Sequence, residues 1–255
     1  MMKHAVRVIL VGVLAVLVTA PAMAQTPQWT DRGFIFGNFV FQIQSNKTVT
    51  STATPTVYDE KATIEAAQII KGQGPTFDVG GGVRIVGNLG LGVAYSQLST
   101  TGEAALSASV PHPLVYDRPR TATGTATGLT HKEQQIHVFA MWMIPATEKF
   151  DVGVYGGPTF FQLKQDLVGL GTPPFTEVGS PYTSVTMNAT QSQVSASKVG
   201  FNVGADLTFK LNKTFGVGGF ARYSTAKIPV TPTGGSEVQI TVGGMQVGGG
   251  LRIRF

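Results

Sequence analysis

Ala196 to Lys210 reads ASKVGFNVGADLTFK, and its residues sort by parity. Val199, Phe201, Val203, Ala205, Leu207 and Phe209 fall on one side. Lys198, Gly200, Asn202, Gly204, Asp206, Thr208 and Lys210 fall on the other. Side chains of a strand alternate between its two faces, so this is a strand with two chemically different surfaces. The same two-faced pattern recurs along the chain, and eight such segments are expected. They cover Gly33–Gln44, Thr76–Val86, Leu89–Ser99, Glu133–Ile144, Phe150–Gln165, Ala196–Lys210, Phe215–Lys227 and Val238–Phe255. In the first segment the inward face is ambiguous, because Phe34 and Phe36 share a side with Asn38 and Gln42. In the fifth, Pro158 and the pair Phe160-Phe161 predict a bulge or a break in register.

Short turns and long polar stretches alternate between these strands. The short ones are Gly87-Asn88, which suits positive φ and marks a hairpin, then 145–149 and 211–214. The long ones, read as loops, are 45–75, 100–132, 166–195 and the shorter 228–237. Lys61 to Lys71 (KATIEAAQIIK) has the composition of a short helix within the first loop. No strong helix-period segment separates the strands, which excludes a βαβ plan. An up-and-down meander of eight strands closes naturally into a barrel, with both chain ends on the short-turn side.

Alternation alone does not say which face is outside. A lipocalin-like soluble barrel in the periplasm places the apolar face inside; a membrane barrel places it against lipid. Three features favour lipid. The polar faces are mostly Gly, Ala, Ser and Thr, and only 13% of the chain is charged; small residues suit a narrow bore. Trp142, Phe150, Phe209, Phe215 and Phe255 gather at strand ends on the short-turn side, like an interfacial girdle. Strands of roughly 10 to 12 residues with long loops at one end fit the plan of a membrane barrel.

The N-terminus indicates export. Lys3, His4 and Arg7 precede an apolar run, Val8 to Val18, and Ala22-Met23-Ala24 forms a small-x-small cleavage site. Eleven apolar residues are too few for a span of about 20. Residues 1–24 therefore read as a signal peptide and 25–255 as one barrel domain. Losing Lys3 and Arg7 takes the chain from 19 basic residues to 17 against 14 acidic ones, too even a balance to argue for nucleic acid. With no cysteine there is no disulfide framework and no thiolate metal site.

The chain ends in Val247-Gly-Gly-Gly-Leu251-Arg-Ile253-Arg-Phe255, running to a final aromatic. With the leader and the eight alternating strands, this resembles the eight-stranded bacterial outer-membrane β-barrel families: the OmpA transmembrane domain, OmpX and the opacity-type surface proteins. The resemblance spans about Gly33 to Phe255. It implies an all-β, eight-stranded antiparallel up-and-down transmembrane β-barrel in the outer membrane, in contact with outer-membrane lipid and lipopolysaccharide. It also implies that Leu251, Ile253 and Phe255 form a signal read by the barrel-assembly machinery.

With the apolar faces outward, the lumen receives Asp78, Arg84, Asp151, Asn202, Asp206, Lys210, Arg222, Gln246, Arg252 and Arg254. Charges in so narrow a bore need partners. Arg222 and Arg252 are expected to meet Asp206 or its neighbours, as a polar plug rather than an open pore. Chemistry is poorly supported. His112 and His131 fall in a loop. His137 points inward with no serine beside it on the same face, so no catalytic triad is expected. Nor do His131 and His137 have a metal-ligand spacing. Gly80-Gly81-Gly82 and Gly248-Gly249-Gly250 lie mid-strand with no helix following, so they are not phosphate loops, and no cofactor is expected. The long loops, with Tyr58, Tyr116, Phe175 and Tyr182, remain as sites for an extracellular ligand. The expected function is non-enzymatic: surface interaction or envelope stabilisation, with a narrow diffusion channel second and a soluble periplasmic binder third.

Overall fold

The computed structural model describes residues 28–231 and 237–255. The expected signal peptide, 1–24, lies outside them. The described residues form twelve strands: β1 (Gly33–Ile43), β2 (Lys47–Ala53), β3 (Thr56–Val57), β4 (Glu60–Lys61), β5 (Thr63–Ile70), β6 (Gly74–Val86), β7 (Leu89–His112), β8 (Val115–Pro145), β9 (Phe150–Glu177), β10 (Val185–Lys210), β11 (Phe215–Val230) and β12 (Val238–Arg254).

Eight of these close a ring. β1 pairs with β6, β6 with β7, and the ladder runs through β8, β9, β10, β11 and β12 back to β1, antiparallel at every step. At the short-turn end the seam is finished by the chain termini of the barrel: Arg32 N and Gly33 N donate to Phe255 O, and Phe255 N donates to Gly33 O.

The outer surface is apolar. Phe39, Val83, Val203, Leu207, Val247 and Leu251 are all exposed, while Asn38, Asp78, Gln246 and Arg222 are buried. This is the inverse of a soluble barrel and is the transmembrane arrangement; the lipocalin-like alternative would need these faces exchanged. On β1 the ambiguity is resolved: Phe34 and Phe36 point inward with Asn38 and Gln42, and Ile35, Phe39, Phe41 and Ile43 point out. Glycines on the neighbouring strand make this possible. A Cβ at Gly80 would lie 2.7 Å from the Phe36 ring and one at Gly82 2.9 Å from Phe34, so each ring rests against bare backbone.

The belt has sharp edges. Its upper rim is marked by Ile43, Phe77, Ile136, Phe160, Val199, Tyr223 and Met245; the next outward positions are polar, such as Ser45, Gln134, Gln162 and Ser197. Trp142, Phe150, Phe215 and Phe255 mark the lower rim, all more than 40% exposed. From Val199 to Phe209 on β10 a strand rising about 3.3 Å per residue and tilted about 40° climbs roughly 25 Å, the height of a membrane barrel's apolar band.

Above the belt the structure departs from the expected loops. Most of 45–75, 100–132 and 166–195 is strand: β7 and β8 continue as one ladder to His112 and Val115, and β9 and β10 to Glu177 and Val185. The expected helix over Lys61–Lys71 is instead the end of β4 and the whole of β5. Ile64, Ala66, Gln68 and Ile70 are buried at every second residue, and β5 is paired on both edges, with β2 and β7. Two-sided pairing outweighs the helical propensity of Ala, Glu and Gln. The expected break at Pro158 is absent as a register shift: His137↔Thr159 and Ala140↔Gly156 share one register. Only the rungs at Val138 and Phe139 are missing, because proline has no N–H to donate. The Asn202 amide nitrogen, 3.0 Å from Gly157 O and 3.1 Å from Pro158 O, occupies the gap.

The ring is closed only within the belt. β1 pairs with β12 up to Ile43↔Met245, β8 with β9 up to His131↔Gln165, and β10 with β11 up to Phe201↔Thr225. Above those rungs β2-β5-β7-β8 form one sheet and β9-β10 another, and they pack face to face, while the β11–β12 ladder continues beside them to Val230↔Val238. Ala62, Ile64, Ala108 and Val110 meet Val185, and Ala66, Ala104 and Leu129 meet Val168. The barrel thus carries a β-sandwich head.

If the outer face meets lipid, Val203→Arg in mid-belt should destabilise the folded protein in lipid vesicles by ~2–4 kcal/mol. Ser197→Arg, above the belt on the same strand, should be near neutral. Equal effects in urea titrations would refute the assignment.

Candidate functional site: a lumen filled by one polar network

The inward faces of β1, β6, β10, β11 and β12 bring most of the predicted lumen set together. Arg252 donates to Asp206 at 2.5 Å and to Asn38 at 2.5 Å. Asn38 donates to Asp78 at 3.1 Å, and Asp78 accepts from Arg222 at 2.6 Å. Arg222 also donates to Gln246, whose amide donates to Gln42 at 2.8 Å. Gln42 donates to Glu133 at 3.0 Å. Glu133 bonds His131 at 3.0 Å, and His131 bonds Gln165 at 2.6 Å. The chain of contacts is continuous from Asp206 near the short-turn end to Gln165 above the belt. A second group lies below it, where Asp151 takes Arg254 and, at 3.1 Å, Lys210.

These contacts answer a cost. Asp78 and Arg222 are 1% and 2% exposed, and a buried ion without a counter-ion is heavily penalised. Asp78, Asp151 and Asp206 stand against Arg222, Arg252 and Arg254. Rings support two of the cations: Arg222 lies 5.1 Å from the Phe220 centroid and Arg252 5.3 Å from that of Phe36. Arg222 and Arg252 were both expected to meet Asp206 or its neighbours. That carboxylate is held by Arg252, and Arg222 reaches across the bore to Asp78 instead.

Arg84 does not join the network. Half-buried at the lower mouth, it donates to Trp29 O at 2.8 Å, while Trp29 N donates to Asn88 at 2.8 Å. The Trp29 ring, 2% exposed, packs with Phe34, Phe139, Met141, Met143 and Tyr155 and closes the mouth. Asn202 is buried in a neighbouring cluster and donates to Thr159 at 2.9 Å.

His137 has a serine neighbour after all. Ser96 Oγ, from β7, lies 3.2 Å from its Nε2, and Thr159 Oγ1 lies 2.8 Å from its Nδ1. The contact is across strands, which spacing along β8 does not show. Thr159 Oγ1 also accepts from Asn202, and among the described residues no carboxylate hydrogen-bonds His137, so the acid member of a triad is missing there. All three side chains are fully buried. His131 and His137 have separate partners, and the described residues contain no group of three or more candidate metal ligands. His112, at the end of β7, accepts from Leu114 N at 3.1 Å.

Sequence reasoning missed the upper part of the network. Gln42, Glu133, Gln135 and His131 are all at most 2% exposed. Parity within strand four already sets Glu133 and Gln135 on the face of His137, and carrying it two residues upward adds His131; Gln42 was hidden by the ambiguity of the first strand. His131 lies above the belt, where burial opposes its protonation but the hydrogen bond and charge of Glu133 prevail and raise its pKa. Its neighbourhood is shaped by Gly243 and Gly244, with φ of 87° and 125°. This backbone turns Gly243 N inward to Glu133 at 2.9 Å and ends the β1–β12 ladder.

The remaining space is small inside and larger at the seams. The lower lumen holds a cavity of about 20 Å3, room for roughly one water. Above the network the bore is filled by Val49, Ile70, Phe161, Leu163, Ile228 and Ile240. Two clefts open sideways at the upper rim. One, of about 400 Å3, lies between Ile43–Lys47 and Ile240–Met245 with His131 at its back. The other, of about 390 Å3, is lined by Phe160, Phe161, Ser197, Lys198 and Val199. In the head, Arg120 pairs with Glu177, which also accepts from Tyr58 at the β3–β4 tip. Leu251, Ile253 and Phe255 all face outward.

No family model and no curated protein matches the chain. Solved structures do. Outer membrane protein OprG from Pseudomonas aeruginosa is 10% identical with a TM-score of 0.49, over 88% of this chain and 96% of that one. Neisserial surface protein A is 12% identical, TM-score 0.43, over 88% and 97%. Outer membrane protease OmpT from Escherichia coli is 10% identical, TM-score 0.37, over 90% and 98%.

Arg222→Ala should strand Asp78 and cost ~3–5 kcal/mol of stability. The pair Asp78→Asn with Arg222→Met should restore much of that loss. Additive losses in a double-mutant cycle would show that the two groups are not coupled.

Proposed function

We propose that the protein is a non-enzymatic outer-membrane barrel that presents a rigid head for surface interaction or envelope stabilisation. The carrying observation is the combination of a filled bore with a packed two-sheet head. An axial diffusion channel, the second expectation, would require the Asp78–Arg222 and Asp206–Arg252 pairs to part and the apolar packing above them to move. Ser96 and His137 lend no support to a catalytic role, since both lie sealed in the lumen.

The head offers what a binding surface needs. Its strands are ordered by pairing and by their own apolar core, so little entropy is lost when a partner docks. Tyr116 and Leu114 at the β7–β8 tip are 79% and 76% exposed. An extracellular ligand would meet 45–75, 100–132 and 166–195 as strand edges and hairpin tips. Planar-bilayer recordings of the refolded chain should show no large steady conductance; such channels would support the diffusion reading instead. Cells carrying a version with 103–127 replaced by a short turn should keep the barrel but lose surface attachment or detergent resistance. If both match the full chain, the head has no such role.

The assembly machinery is the other proposed partner. Leu251, Ile253 and Phe255 present an outward apolar row on the last strand, free to be recognised before the seam closes on β1. Deleting Phe255 should slow insertion in cells far more than it destabilises barrel that has already folded. Normal insertion of that variant would remove the signal.

A further inference from the structure

Lys132 on β8 and Lys164 on β9 are directly opposed across the sheet, with both side chains on the outer face. Like charges so placed destabilise a pair of strands unless something neutralises them. None of the seven ion pairs among the described residues includes either lysine. The nearest acid along that face is Asp166, one rung higher. Its oxygens are occupied by Thr130 N at 2.9 Å and the Gln193 amide at 3.0 Å. Lys198 on β10, opposite Phe161, adds a third cation without a carboxylate partner. By parity it belongs inside, yet it is exposed. It emerges where β10 and β11 part, at the cleft of about 390 Å3 lined by Phe160 and Val199.

Height decides what these cations face. Ile136↔Phe160 is the last apolar rung on β8 and β9, Gln134↔Gln162 follows, and Lys132↔Lys164 comes next on that face. Four residues of tilted strand place the lysine pair roughly 10 Å above the belt, at headgroup depth. Lys198 is adjacent to the rim itself. A cationic patch therefore sits directly over an apolar wall that ends in Ile136, Phe160 and Val199.

We propose that Lys132, Lys164 and Lys198 bind the phosphate of an anionic lipid in the outward-facing leaflet, whose chains lie on Ile136, Phe160 and Val199. The phosphate supplies the negative charge that the opposed lysines lack. The acyl chains account for the cations standing over the apolar belt at headgroup height, a placement that a soluble anion would not need. This rests on the membrane-spanning barrel and is independent of what the head binds.

The test is native mass spectrometry of the refolded full chain in detergent, titrated with phosphatidic acid, phosphatidylcholine or inorganic phosphate. The wild type should prefer phosphatidic acid. Each of K132Q, K164Q and K198Q should weaken that binding roughly five-fold, and the triple variant should lose the preference. K149Q with K213Q, in turns at the opposite end, should change nothing, and lysine-to-arginine variants should keep binding. Unboiled gel mobility confirms that each variant is folded. No preference for phosphatidic acid in folded wild type overturns the site and leaves the barrel intact. So does an equal loss in K149Q/K213Q, which would mean diffuse charge. Equal binding of inorganic phosphate would mean a free-anion site and also overturns the lipid assignment.

Discussion

Closing an amphipathic sheet with its apolar side to lipid forces its polar side into a narrow bore with little room for water. That constraint governs the rest of the molecule. Every charge placed inside must find its counter-charge inside, because neither solvent nor lipid can supply one. Asp78, Asp151 and Asp206 meet Arg222, Arg252 and Arg254 for this reason, and the glutamines 42, 135 and 246 carry the hydrogen bonding upward to Glu133. The small residues opposite them serve the same end. Gly80 and Gly82 leave space for Phe34 and Phe36, which fill what the polar groups do not.

The constraint relaxes at the upper rim, and the architecture changes there. Outside the membrane a strand edge may be wet, so the ring no longer has to be closed. The β1–β12, β8–β9 and β10–β11 ladders all end within a few residues of the belt. What continues is two sheets held by an apolar core of their own, with the β11–β12 ladder beside them. The Gly243-Gly244 pair sits at one such transition, and its left-handed backbone serves the lumen and the seam together: it points an N–H at Glu133 and ends the pairing with β1.

The eight strands were legible because lipid outside and packing inside impose opposite chemistries on alternate residues. Asp78, Asp206, Arg222, Gln246, Arg252 and Arg254 could be assigned to the lumen by parity alone. The head was not legible for the same reason. Over 121–128, TATGTATG, both faces are small or polar, so alternation carries no contrast there even though its partners across the ladder, Ala104 and Ala108, are buried. Partners across the bore were also out of reach. Which aspartate Arg222 meets, and that Ser96 lies beside His137, depend on register between strands and not on spacing within one.

The filled bore bears on where function resides. Two states of a protein that exchange usefully differ by a few kcal/mol. Separating even one buried pair here costs a comparable or larger amount, and an axial path would separate Asp78–Arg222 and Asp206–Arg252 together. The groups are also linked: Asn38 bridges Arg252 to Asp78, so moving either arginine disturbs both carboxylates. An interior built this way favours one static arrangement. The surfaces that remain free to engage partners are the ones the membrane does not seal, namely the head and the rim where lysines stand over the belt.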